Sequence, residues 1–129
     1  MDEGKSTTRI RVVWIVWLAG FLVGTGSHVI DLVLGGMDVY AGFPSLLRLF
    51  WVSLTLVDPL TVVLVGLRRR AGIVLGAVVI VTDIAVNWTV WATIGGNPLY
   101  GAVNQTIFAA FVLVTAPMLW RWFAGGDSM

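Results

Sequence analysis

Four stretches of the chain, at about residues 12–34, 46–67, 71–94 and 99–120, are nearly unbroken runs of Val, Leu, Ile, Ala, Gly, Phe and Trp. They show neither the two-residue alternation of a half-buried strand nor a polar stripe wide enough for a soluble helix. Each is close to the ~20 residues that cross ~30 Å of hydrocarbon at 1.5 Å per residue. Between them stand Gly35-Gly36 followed by Pro44, then Arg68-Arg69-Arg70 with Gly72, then Gly95-Gly96-Asn97-Pro98, all helix breakers or charge stops. Connections this short join antiparallel neighbours. The pattern predicts an all-α integral membrane four-helix bundle, up-down-up-down with short loops, and a single four-span domain over residues 1–129. No internal repeat, heptad pattern or low-complexity tract interrupts it.

Composition agrees and narrows the function. Of 129 residues, 58% are hydrophobic and 12% charged, with a mean hydropathy of +0.93, which leaves no room for an additional soluble domain. Eight Lys and Arg stand against seven Asp and Glu, a net charge of +1 that is too small for a nucleic-acid surface. The absence of Cys excludes disulfides, thiolate metal sites and thiol redox chemistry. No HExxH, GxSxG, P-loop or dinucleotide pattern occurs, so no metal and no cofactor is expected. The cations are lopsided: Lys5, Arg9 and Arg11 precede the first span, Arg68 to Arg70 join the second and third, Arg121 follows the fourth, and the other side holds Arg48. That asymmetry predicts both termini in the cytoplasm, in the cell membrane. The basic start resembles a signal peptide, but its apolar run is too long and no Ala-x-Ala site follows, so the first span is expected to stay. Trp14, Trp17, Trp120 and Trp122 near the inner boundary read as interface anchors.

The informative residues are those that do not belong in lipid. His28 and Asp31 fall in the first span, Asp58 in the second, Asp83 and Asn87 in the third, Asn104 and Gln105 in the fourth. A carboxylate near a span centre opposes insertion by about 2.5–3.5 kcal/mol, so three of them need protein or water around them. Helical spacing gathers them: Gly20, Gly24, His28 and Asp31 form one face, Gly72, Gly76, Asp83 and Asn87 another, and Arg48, Trp51, Thr55 and Asp58 a third. The glycines should let helices approach closely in the inner half. Counting up from the cytoplasmic boundary puts Asp58 at roughly 14 Å, Asp83 at roughly 18 Å, Gln105 near 21 Å, and His28, Asn87 and Trp51 near 24 Å. The depths allow one connected site from mid-membrane to the outer face, with Asp31 near its rim. Pro59, directly after Asp58, frees the carbonyl of Thr55 and predicts a local kink or widening. Asp58 and Asp83 have no Lys or Arg at their depth, so either one carries a proton or a ligand cation or proton shares the space. His28 is the one nearby group that ordinarily titrates near neutrality, and Asp31 lies one turn away.

Asn87-Trp88-Thr89 and Asn104-Gln105-Thr106 match the glycosylation acceptor, but both fall inside spans, out of a transferase's reach. The stretch from His28 through Asp31, Phe43-Pro44, Phe50-Trp51 and Asp58-Pro59-Leu60 resembles the first half of EXPERA-type membrane proteins, the group of the sigma-2 receptor and emopamil-binding protein. The resemblance covers about 35 residues. It implies a small helical bundle whose acidic pocket takes cationic amphiphiles or sterol-like molecules, with Asp31 and Asp58 as paired acids and His28 as the motif histidine. The glutamate of the isomerase pattern is missing, since no Glu follows Glu3.

Three function classes follow. In the first, a small lipophilic molecule, cationic or sterol-like, binds a pocket open to the extracytoplasmic side and built from His28, Asp31, Trp51, Asp58, Asp83, Asn87 and Gln105. An enzymatic version would use His28 or a protonated Asp58 as general acid, and the residues favour binding over catalysis. In the second, the polar groups glue a non-catalytic accessory or assembly subunit to copies of itself or to a larger membrane complex. The third, ion or proton conduction, needs a polar route through the inner half, which the glycine-packed apolar residues there oppose. The bilayer is the expected partner in all three, with homo- or hetero-oligomers consistent with any of them.

Overall fold

The structure is a computed structural model and describes residues 2–35, 44–95 and 102–126. They form four helices, α1 (Asp2–Gly35), α2 (Ser45–Gly66), α3 (Arg70–Thr93) and α4 (Ala102–Gly126). All four are long and apolar enough to cross a membrane. Helices α2 and α3 begin and end within a residue of the apolar runs at 46–67 and 71–94. Gly36, Phe43, Gly96-Asn97-Pro98 and the first three residues of the expected fourth span lie outside the described residues. The clear departure is α1, which begins about ten residues before the expected span. A helix ends where its backbone hydrogen bonds end, whereas the apolar pattern marks only the part that lipid covers.

Each helix packs against the next in sequence and α4 returns to α1, where the contact is thinnest. The connection between α2 and α3 is tight. The amide of Arg69 donates to the carbonyl of Leu64 at 2.8 Å and that of Arg68 to Val65 at 3.0 Å, with Arg68 in the left-handed region at φ 57°. This is a Schellman closure with an arginine where glycine is usual. The guanidinium of Arg68 then lies 4.1 Å from the ring centre of Trp122 and 5.4 Å from that of Trp14, contacts that favour the cation at this corner. Directly beyond the turn, Gly72 lies against the backbone of Leu64 and Val65, so the two helices meet without a side chain between them.

Inside this end, which we term the basic end, the bundle is closed. Trp17, Phe21, Val65, Ile73, Val112, Leu119 and Phe123 are buried together, with Gly76 against the rings of Trp17 and Phe21. Trp17 therefore corrects the expectation of an interface anchor. It is fully buried, and its indole N–H donates to the Thr115 hydroxyl at 2.8 Å. Trp14 donates to the Val65 carbonyl at 2.8 Å, while Trp120 is exposed beneath the guanidinium of Arg70. On the outside, Val33, Leu34, Leu46, Leu56 and Val114 are among many large apolar side chains left bare. A water-facing bundle would not carry such a surface; acyl chains cover it at no cost.

Candidate functional site

At the other end the bundle opens. A cleft of about 520 Å³ lies between the helix halves farthest from the basic end. Helix α1 lines it with Gly20, Val23, Gly24, Ser27, His28 and Asp31, α4 with Asn104, Gln105 and Phe108, α3 with Asp83 and Asn87, and α2 with Trp51. From Gly20 to Asp31 the α1 wall is about 16 Å long. Because α1 and α4 supply most of the lining and are the neighbouring pair with the thinnest contact, the cleft lies along their seam.

Beneath the cleft is a narrow chamber of only about 10 Å³ that includes Asp58, Val79 and Ile80 and shares Gly20, Gly24, Asp83, Gln105 and Phe108 with the space above. Asp58 and Asp83 are buried, 6% and 7% exposed, and both face this chamber. The glycines of α1 explain how the walls fit. A Cβ on Gly24 would stand 2.9 Å from Asp58 Oδ2, so the bare backbone admits the carboxylate of α2. A Cβ on Gly20 would collide with the ring of Phe108, which lies over it and meets Phe21 edge-on at 5.3 Å between centroids. Gly20 and Gly24 thus make room for a ring and a carboxylate, where the sequence pattern predicts a neighbouring helix backbone. The close backbone approach occurs at Gly72 instead.

His28 Nε2 lies 3.9 Å from Asp58 Oδ2, within ion-pair reach and beyond a direct hydrogen bond. The sequence offers Asp31 as the acid near His28; the fold adds one from the adjacent helix. Of the seven residues that the sequence assigns to the pocket, His28, Asp31, Trp51, Asp83, Asn87 and Gln105 line the cleft, and Asp58 lines the chamber. Arg48 and Thr55, expected on the same face of α2, line neither space, and the buried Thr55 hydroxyl has no hydrogen-bond partner.

Ser27, Asn104 and Phe108 were outside that set. Asn104 is polar and had a readable signal; its side-chain oxygen accepts from the Gln105 amide at 3.0 Å, so it tends the start of α4 as well as the cleft. Phe108 had none, being one more aromatic in an apolar run. Thr106, which completes the second glycosylation-like triplet, accepts the Trp88 indole N–H at 2.7 Å and ties α3 to α4.

Among the described residues, no Lys or Arg lines the cleft or the chamber, and His28 is the one basic side chain in either. Among the described residues, no group of three or more His, Asp or Glu is placed to hold a metal ion. Two buried carboxyl groups in a medium of low dielectric need a proton or a cation close by.

No family model matches this chain, and no curated protein or solved structure does. The fold defines a small multi-pass membrane protein.

Proposed function

We propose that the protein binds a small lipophilic cation, with the charged group beside Asp83 and Asp58 and the apolar part along Val23 and Phe108 toward the α1–α4 seam. Trp51 supplies an aromatic wall, and His28, Asn87 and Gln105 supply hydrogen-bonding groups. Asp31 stands nearer the end of α1, where an incoming cation first meets it. The excess of Lys and Arg at the basic end supports an orientation with both termini in the cytoplasm and the cleft toward the outer leaflet of the cell membrane. The resemblance to EXPERA-type proteins points to the same class of ligand. The observation that carries this reading is the convergence of acids from three helices on a partly apolar space that no Lys or Arg lines.

The test is thermal unfolding in a neutral detergent with a long-chain tertiary amine and its uncharged amide analogue. The amine should raise the melting temperature saturably and the amide should not. Asp83→Asn and Asp58→Asn should each fold and lose affinity by at least about thirtyfold, since removing one partner of a buried charge pair costs about 2 kcal/mol or more. Equal shifts with amine and amide, or unchanged affinity in both variants, would overturn the proposal. Loss of oligomer or complex in the variants without any ligand effect would favour an assembly subunit.

A further inference from the structure

A second groove lies at the basic end, on the outside of the bundle, where α1 and α4 come together again. It has a volume of about 620 Å³ and is lined by Ile10 of α1 and Val114, Pro117, Met118, Arg121 and Trp122 of α4, with Thr7 and Gly125 at the end nearest the helix termini. On α4 these positions recur at three- and four-residue intervals, so they share one face over about 16 Å of helix. The lining changes along that length. At one end is Val114, 79% exposed on the lipid-facing surface, then Pro117 and Met118; at the other are Arg121, Thr7 and the indole of Trp122.

We propose that this groove holds one anionic phospholipid, with an acyl chain against Val114, Pro117 and Met118 and the phosphate at Arg121. The occupant must reach the groove from the bilayer, because its apolar end faces lipid. Its head must be negative, because Arg121 is exposed at the polar end, Arg11 lies one turn beyond Thr7 on α1, and, among the described residues, no acidic side chain lines the groove. Arg68, Arg69, Arg70, Lys5 and Arg9 lie toward the same end of the bundle and strengthen the attraction. A peptide helix would find apolar contacts but no partner for a head group fixed at one end. The wall is ready before the lipid arrives: the Trp122 ring is held by Arg68 at 4.1 Å and packs edge-on against Trp14 at 5.8 Å. Nothing in this groove is shared with the acidic cleft, so the two readings stand or fall separately.

Native mass spectrometry and thermal unfolding in a neutral detergent, with phosphatidylglycerol and phosphatidylcholine of the same acyl chains, test the site. Phosphatidylglycerol should be retained at one molecule per chain and raise the melting temperature saturably; phosphatidylcholine should do so weakly. Arg121→Gln should weaken phosphatidylglycerol about fivefold, the worth of one arginine near an anionic surface. Arg48→Gln, at the opposite end, should leave it unchanged. Met118→Trp should fill the groove and abolish retention; if that variant does not fold, Val114→Trp on the lipid-facing rim serves instead. Equal retention of the two lipids, equal losses in Arg121→Gln and Arg48→Gln, or full retention in the groove-filling variant would overturn the proposal.

Discussion

A methyl group on Gly72 would lie 2.7 Å from the Val65 nitrogen and 2.9 Å from the Leu64 carbonyl carbon, whereas one on Gly26 meets nothing within 4 Å. Backbone cannot step aside as a flexible side chain can, and the tight turn before α3 leaves Gly72 little freedom to retreat. Gly72→Ala should therefore destabilise the bundle by about 1–3 kcal/mol. Gly26→Ala should be neutral or stabilising by up to about 1 kcal/mol, the usual gain in helix propensity. Reversible unfolding in mixed micelles measures both, and equal effects would show that α2 and α3 do not approach as described. The same pair marks how far residue types were legible. The spacing of Gly72 and Gly76 announces a close approach but not what approaches: backbone at the first, the rings of Trp17 and Phe21 at the second. Likewise His28 and Asp31 are visible together on one helix, while the 3.9 Å neighbour Asp58 comes from another chain segment that no local pattern connects.

Helices were more legible than their faces. Lipid thickness sets the length of an apolar run, so the spans of α2 and α3 follow from hydropathy alone. The polar start of α1 carries no such signature, and its helix extends past the membrane signal to Asp2. Trp17 illustrates the harder problem: a tryptophan near a span boundary suits either the interface or the core, and a partner on α4 decides. That partner, Thr115, lies 98 residues away and accepts the indole N–H at 2.8 Å. In a bilayer no hydrophobic force draws helices together, so such bonds and close packing hold the α1–α4 seam shut at this end while it opens at the other. A double-mutant cycle of Trp17→Phe and Thr115→Val should give a coupling of about 0.6–1.7 kcal/mol, the range of interhelical hydrogen bonds in membranes. Additive effects would mean that packing alone closes the seam.

Taken whole, the molecule has two unlike ends: a closed one, braced by Arg68 between Trp14 and Trp122, and an open one, where the acidic cleft lies. Closure at one end makes a through-channel a poor use of this fold, because a polar path would have to cross the buried layer of Trp17, Val112, Leu119 and Phe123. A binding cleft entered from one side needs no such path. Since the chain has no Cys, a single introduced thiol reports its own accessibility without background. Ser27→Cys places that thiol in the cleft, and Gly4→Cys places one on the exposed start of α1. In intact cells a membrane-impermeant maleimide should label the cleft thiol and spare the one on α1 until the membrane is permeabilised. A saturating lipophilic amine should slow labelling of the first in step with its occupancy and leave the second unchanged. Exchange of the two accessibilities would reverse the orientation while sparing the bundle. Labelling of both from one side would mean that α1 does not cross the membrane, and an amine without effect at Ser27→Cys would remove the cation from the cleft.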